Sequence, residues 1–285
     1  MSRISYVNGN YIPHYAASVH IEDRGYQFSD GVYEVIAIYK GQLIDFEGHL
    51  FRLERSLKEL EISWPVTSKA LKIIVNQIIR LNRIRDGILY LQITRGVAPR
   101  DHIFPDKDNS ALIVTARQLP PFNFNGYDEG INIMTTPEIR WKRCDIKSVS
   151  LLGNCLAKEK ARRNGCYEAW FVDNDGMITE GTTSNAWIIN NKDQLITRNA
   201  NNAILNGITR LSIINVAKKN NIKFYERAFS LEEAKLAKEV FITSTTSFVK
   251  PVLKIDQKSV GNGKVGSLTI KLLSLYENHI KAQIA

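Results

Sequence analysis

The sequence predicts an α+β protein of two domains. Strand-like runs of alternating apolar residues and helical runs with apolar residues three and four apart are mixed in both halves of the chain. The length, 285 residues, suits two domains at roughly 150 residues each. Pro120-Pro121 and the Asn/Phe/Gly stretch to Gly126 interrupt the pattern near the middle. The expected division is an N-terminal α+β domain over 1–120, a linker over 121–126 and a C-terminal domain over 127–285.

The elements follow in order. Ile4–Tyr6, a turn at Asn8-Gly9-Asn10 and Tyr11-Ile12 read as a hairpin. Gly31–Tyr39, rich in Val, Ile and Tyr, is a strand that turns at Lys40-Gly41 into Gln42–Asp45. Leu50, Leu53, Leu57 and Leu60 then recur at helical spacing over Phe46–Leu60, and Pro65 stops the pattern. A second helix covers Thr67–Asn82, with Leu71, Ile74, Val75, Ile78 and Ile79 on one side. Strands at Gly87–Thr94 and Ala111–Arg117 flank a polar loop, Val97–Asn109. The second half alternates similarly. Strands are expected at Gly130–Thr135, Glu168–Asp173, Asn185–Asn190, Ile222–Arg227 and Val240–Thr243. Helices are expected at Leu151–Asn164, Thr209–Asn220, Leu231–Ala237 and Ser267–Lys281.

Composition excludes several classes. Hydrophobic residues are 44% and charged residues 24% of the chain, as in globular proteins. Cys144, Cys155 and Cys166 are too few and too far apart for a disulfide framework and fit a reducing, cytoplasmic setting. The polar start and the lack of any run near 18 apolar residues argue against a secretory leader and a membrane span. The net charge is +9, but Lys and Arg are scattered among acids, as in Arg52-Leu53-Glu54-Arg55. That distribution argues against nucleic-acid binding and for a basic surface that draws in small anions. The five histidines are isolated, so no metal site is expected. Gly261-Asn262-Gly263-Lys264-Val265-Gly266 matches G-x-G-x-x-G, but too little chain follows for a dinucleotide-binding unit, and it reads as a turn.

Three features in the second half point to chemistry. Lys147 lies in the mixed polar segment Arg143-Cys144-Asp145-Ile146-Lys147-Ser148. Glu180 precedes a glycine and hydroxyls in Thr179-Glu180-Gly181-Thr182-Thr183-Ser184-Asn185. Two corners, Gly207-Ile208-Thr209-Arg210 and Thr243-Ser244-Thr245-Thr246-Ser247, offer backbone N–H and hydroxyl donors to a phosphate. A reactive amine, a carboxylate and phosphate donors are the set that pyridoxal 5′-phosphate needs.

The order of these motifs resembles the fold-type IV pyridoxal-phosphate transaminases, and within them the D-amino-acid transaminases, over nearly the whole chain. The matching stretches include Glu22-Asp23-Arg24-Gly25-Tyr26-Gln27-Phe28, Asp30-Gly31-Val32-Tyr33-Glu34-Val35, Thr94-Arg95-Gly96, Pro99-Arg100, His102, Phe104-Pro105, Ile139-Arg140-Trp141 and Gly165-Cys166-Tyr167-Glu168-Ala169. The resemblance implies a smaller N-terminal α/β domain and a larger C-terminal pseudo-barrel domain that binds the cofactor. It implies that Lys147 is the catalytic lysine that holds the cofactor. Glu180 would pair with the pyridine nitrogen, with Arg140 and Glu168 behind it in a polar relay. Arg52, Ile208, Thr209, Ser244 and Thr245 would bind the phosphate, and Thr182 and Thr183 would line the cofactor. Tyr33, Arg100 and His102 would trap the substrate carboxylate, the last two reaching in from a second copy in a homodimer.

Lys147 can serve either enantiomer, because handedness depends on which side of Cα the carboxylate is held. The Arg100/His102 pair therefore favours D-amino acids with 2-keto acids, as in D-alanine plus 2-oxoglutarate giving pyruvate and D-glutamate. L-branched-chain amino-acid transaminases and aminodeoxychorismate lyases share the Lys and Glu motifs and are the alternatives. Asp101, between the two trap residues, could pair with Arg100, although alternation would point it away.

Overall fold

The computed structural model describes residues 3–107, 109–122 and 130–284. Positions 123–126 of the expected linker lie outside the described residues. The chain forms two compact units, Met1–Phe122 with Ile146–Ser150 and Asn123–Asp145 with Leu151–Ala285. The sequence reading assigned 127–285 to one domain, but Ile146–Ser150, Lys147 included, packs with the first unit.

The first unit is a six-stranded sheet with two long helices. Its strands are β1 (Ile4–Val7), β2 (Asn10–Pro13), β3 (Gly31–Tyr39), β4 (Gln42–Leu43), β5 (Gly87–Thr94) and β6 (Ala111–Gln118), in the order β2-β1-β6-β5-β3-β4. All neighbours are antiparallel. Asn8 and Gly9 take positive φ, 43° and 96°, which a two-residue hairpin turn demands. Helix α1 (Arg24–Phe28) is short; α2 (Phe46–Glu59) and α3 (Ser68–Asn82) carry the predicted apolar stripes. Val32, Ile36 and Ile38 from β3 join Leu53 and Leu57 of α2 and Leu71, Val75 and Ile78 of α3 in one core. Burying each such side chain contributes about 1.5–3 kcal/mol. Glu34 shares that buried strand face and is itself 0% exposed.

The second unit is built on a nine-stranded sheet. Its strands are β7 (Ile131–Pro137), β8 (Glu168–Val172), β9 (Ile178–Gly181), β10 (Asn185–Ile189), β11 (Leu195–Thr197), β12 (Phe224–Glu226), β13 (Glu239–Ser244), β14 (Phe248–Ile255) and β15 (Lys258–Ser259). The order is β12-β11-β10-β13-β14-β7-β8-β9, with β15 on β14. Strand β9 also contacts β10, its successor in the chain, so the sheet curls into a half-barrel. Helix α4 (Leu152–Arg163) crosses between the parallel strands β7 and β8. Helices α5 (Ile208–Lys219) and α7 (Ser267–Lys281) pack on each other and on β13, and α6 (Leu231–Lys235) is a single short turn.

The Gly261–Gly266 stretch leads into α7, as a phosphate loop would lead into its helix. Its anion is internal. The N–H groups of Leu268 and Thr269 donate to the Glu239 carboxylate at 3.2 and 2.8 Å, and the Thr269 hydroxyl donates at 2.7 Å. A Cβ on Gly266 would lie 1.9 Å from Glu239 Cδ, so glycine lets this carboxylate reach the helix. Among the described residues no helix is long and apolar enough to cross a membrane.

Candidate active site

Lys147 is seated by the edge of β3, the strand edge opposite β5. The Tyr33 N–H donates to the Lys147 carbonyl at 3.0 Å, and the Val149 N–H donates to the Gly31 carbonyl at 3.0 Å. A bridge pairs Val32 with Ser148, and the Lys147 N–H donates to Ser56 Oγ on α2 at 3.3 Å. With the backbone fixed, Nζ stands 4.2 Å from the centre of the Tyr33 ring. Tyr33 stacks on Tyr90, 5.7 Å between centres, and burial pushes the Tyr90 hydroxyl up to about 12. The structure thus brings two of the expected residues, Lys147 and Tyr33, together.

Arg52 belongs to a buried triad that the sequence reading missed. Its Nε and Nη2 donate to the two Glu34 oxygens at 2.7 Å each, a bidentate fork that fixes the guanidinium plane. His49 Nδ1 completes the set, 2.6 Å from Glu34 Oε2. Burial alone would raise the Glu34 carboxyl, but Arg52 and His49 outweigh it and hold it at about 2. Burial pushes His49 down, with Glu34 opposing, so the imidazole is neutral and Nδ1 carries its proton toward the carboxylate. A glutamate on the apolar face of an alternating strand was the available sequence signal.

The loop after β5 carries Arg100 and His102, both exposed. The Arg100 guanidinium lies 4.6 Å over the Phe28 ring, and the His102 ring centre is 5.4 Å from that of Phe28. One phenyl ring therefore gathers both residues. Asp101 Oδ1 accepts from the Ile103 N–H at 3.1 Å, and among the described residues no ion pair joins Asp101 to Arg100.

In the second unit Glu180 sits on β9 and is 5% exposed. Arg140 Nη1 donates to Oε1 at 2.6 Å, Asn185 Nδ2 to Oε2 at 3.0 Å, and the Leu205 N–H to both oxygens at 3.1 Å. Burial pushes its carboxyl up, against Arg140 and the Leu205 N–H. Arg140 is also gripped by Glu138, with Nε to Oε1 at 2.9 Å and Nη2 to Oε2 at 2.7 Å. Glu138, unlike Glu180, is held below the usual carboxylate range because Arg140 outweighs its burial. Sequence reasoning did not single out Glu138, though its spacing of two from Arg140 was a signal.

Glu168 does other work than the expected relay. Its carboxylate accepts from the Thr182 hydroxyl, the Thr183 hydroxyl at 3.0 Å, the Thr183 N–H at 3.2 Å and the Ser184 hydroxyl at 3.0 Å. Among the described residues no hydrogen bond joins it to Arg140 or Glu180. The Thr182 N–H donates to the Ala169 carbonyl at 3.1 Å. Every polar hydrogen of Thr182 and Thr183 is thus committed inside the protein, so neither has a donor to offer a phosphate. Glu168 instead shapes the tight turn between β9 and β10.

The phosphate donors fare differently. Helix α5 starts at Ile208 after Gly207, with no side-chain cap on its first N–H groups. Ile208 and Thr209 therefore keep the backbone donors that an anion takes at a helix start. Asn185 ties this end to Glu180, donating to the Leu205 carbonyl at 2.9 Å as well as to the carboxylate. Ser244 Oγ accepts from the Ser247 N–H at 3.0 Å, which tightens the corner that presents Thr245.

The model of the amino-transferase class IV family matches residues 31–255. The D-alanine aminotransferase of Staphylococcus haemolyticus is 41% identical over 280 residues, 98% of each chain. The Escherichia coli branched-chain amino acid aminotransferase shares the fold, with a TM-score of 0.91, 24% identity and coverage of 98% of this chain and 95% of that one. So does the branched-chain amino acid aminotransferase of Thermobaculum terrenum in its PLP form, at a TM-score of 0.88, 22% identity and coverage of 99% and 94%.

Proposed function

The chain belongs to the class IV aminotransferases, and from that premise we propose that it is a pyridoxal-phosphate-dependent transaminase of D-amino acids, moving the amino group of D-alanine to 2-oxoglutarate. The observation that carries the substrate is the whole-length similarity to a D-alanine aminotransferase. The residues present fit the cofactor. Lys147 supplies an amine on a pinned backbone, Glu180 a buried acid, and the uncapped start of α5 with Arg52 the phosphate donors. Bound pyridoxal 5′-phosphate supplies an aldehyde that amines capture and a ring that stores the electrons of a broken Cα–H bond.

Lys147 Nζ would hold the cofactor and would carry the α-proton of the substrate. The Tyr33 N–H to Lys147 and the Val149 N–H to Gly31 pin the main chain on which the amine is mounted. Glu180 would hold the ring nitrogen of the cofactor, and burial, which favours its protonated form, suits it to share a proton there. Arg52, charged and fixed in plane by Glu34, would bind the phosphate, as would the Ile208 and Thr209 N–H groups and the Thr245 hydroxyl. Thr182 and Thr183 have no part in this proposal. Tyr33, Arg100 and His102 hold the substrate carboxylate, which decides the enantiomer whose α-hydrogen faces Lys147.

We propose further that two copies assemble and that Arg100 and His102 serve the partner's site. Support comes from bare apolar side chains beside that loop: Ile21, Tyr26 and Ile103 are each about three-quarters exposed. A cytoplasmic setting fits the three free thiols. The visible spectrum of the purified protein tests the function. A yellow protein bleached by D-alanine and not by L-leucine is expected. Bleaching by L-leucine alone would overturn the D-specific reading, and a protein that stays colourless with added pyridoxal phosphate would overturn the enzyme.

A further inference from the structure

Two arginines share one aspartate beneath the loop of Arg100 and His102. Arg24 Nε and Arg95 Nε both donate to Asp30 Oδ2 at 2.8 Å, and Arg95 Nη2 donates to Oδ1 at 3.1 Å. Arg24 and Arg95 are 3% and 4% exposed. Two guanidiniums on one carboxylate leave a buried excess of one positive charge, which needs compensation from neutral acceptors. The chain supplies it at two places. Arg95 donates to the Glu61 and Leu60 carbonyls, at 2.8 and 2.6 Å, at the end of α2. Arg24 Nη1 donates to the Asp101 carbonyl at 2.6 Å and to the Ile103 carbonyl at 3.4 Å.

Those two carbonyls bracket His102, and the first directly follows Arg100. Stacking adds to the hold. The Phe104 ring lies 3.6 Å from the Arg95 guanidinium and 5.7 Å from that of Arg24. Phe28, which gathers Arg100 and His102, lies 4.8 Å from the Arg24 guanidinium. The loop's root is fixed separately, by Arg24 N–H to the Gly96 carbonyl at 2.9 Å and Ala98 N–H to the Glu22 carbonyl at 3.3 Å. Backbone ties therefore hold the root, while the Arg24 side chain holds the tip. An exposed loop tip otherwise has no reason to keep one shape.

We propose that Arg24, locked by Asp30 and stacked with Phe104, is a positioning residue that fixes the loop tip so that Arg100 and His102 meet the substrate carboxylate. The proposal holds only if those two residues bind that carboxylate. Arg24 itself touches no substrate. A loosened tip weakens carboxylate capture, which falls on KM, and leaves the lysine and cofactor chemistry of the site in place.

Steady-state kinetics of the holoenzyme with D-alanine test this, with three variants side by side. Arg100→Ala is the reference for the carboxylate contact. Arg24→Gln and Phe104→Ala, the latter half-exposed and safe to truncate, loosen the tip. Expected for both is a KM raised about tenfold, a kcat lowered much less, and cofactor absorbance like that of the parent. Arg24→Lys, with charge but no fork, recovers little. A parent-like KM in Phe104→Ala and Arg24→Gln, beside a raised KM in Arg100→Ala, overturns the positioning role and spares the carboxylate contact. A parent-like KM in Arg100→Ala overturns both. If Arg24→Gln does not fold, Phe104→Ala decides alone.

Discussion

Glu34 and Glu180 are both buried carboxylates bridged to an arginine, one in each unit, yet they lie on opposite sides of the ordinary carboxylate range. Arg52 grips Glu34 with two nitrogens and His49 adds a donor, so its charged form prevails at about 2. Glu180 shares Arg140 with Glu138, and burial prevails over what remains of the guanidinium's pull. The grip differs: Glu34 takes two nitrogens of Arg52, whereas Glu180 takes one of Arg140, whose other two nitrogens hold Glu138.

Substitutions can break this contrast. The largest loss of stability is expected for Arg140→Met, which strands Glu138 and Glu180 together. Denaturant unfolding should show a loss of about 3–5 kcal/mol. Glu34→Gln comes next, at about 2–3 kcal/mol near neutral pH. Its sign follows from the lowered folded-state value. The charge of Glu34 stabilises the fold above its unfolded value of 4.5, and that gain is lost as pH falls through about 2. The gap between parent and variant should therefore be flat from pH 7 to about 5 and close below it.

Glu180→Gln is the smallest in stability. A raised folded-state value means that ionising Glu180 works against folding as pH rises. The variant should unfold within about 1 kcal/mol of the parent, or be slightly more stable, while turnover drops by about a hundredfold. Equal melting temperatures for Glu34→Gln and Glu180→Gln would dissolve the distinction between the two sites.

Much of this was legible in the sequence. The leucines of α2 and the stripe of α3 declare their faces by spacing alone, because helical periodicity is local. Lys147 and Glu180 were legible as residue types in order along the chain. Strand β14 was not read: it opens at Phe248, whose φ is 53°, and contains Pro251 and two lysines, all poor strand signals. Its place is fixed by pairing with β13 and by parallel pairing with β7, more than a hundred residues away. Glu34 was hidden as the partner of Arg52 because the rest of β3, a turn and β4 separate it from α2 along the chain. The hydroxyls of Thr182 and Thr183 read as cofactor ligands only because the claim of Glu168 on them is invisible in one dimension.

The seating of Lys147 on β3 has a consequence for how this chain can be divided. Ile146–Ser150 packs with the first unit, while the residues on either side belong to the second. A cut after Phe122 would give one fragment whose Tyr33 N–H and Gly31 carbonyl have lost their partners, and another whose lysine has nothing to lie against. Neither fragment is a transferable cassette. Recombination that exchanges the halves of two such proteins must match the β3 edge of one parent to the lysine strip of the other, so this short antiparallel contact is the seam along which chimeras succeed or fail.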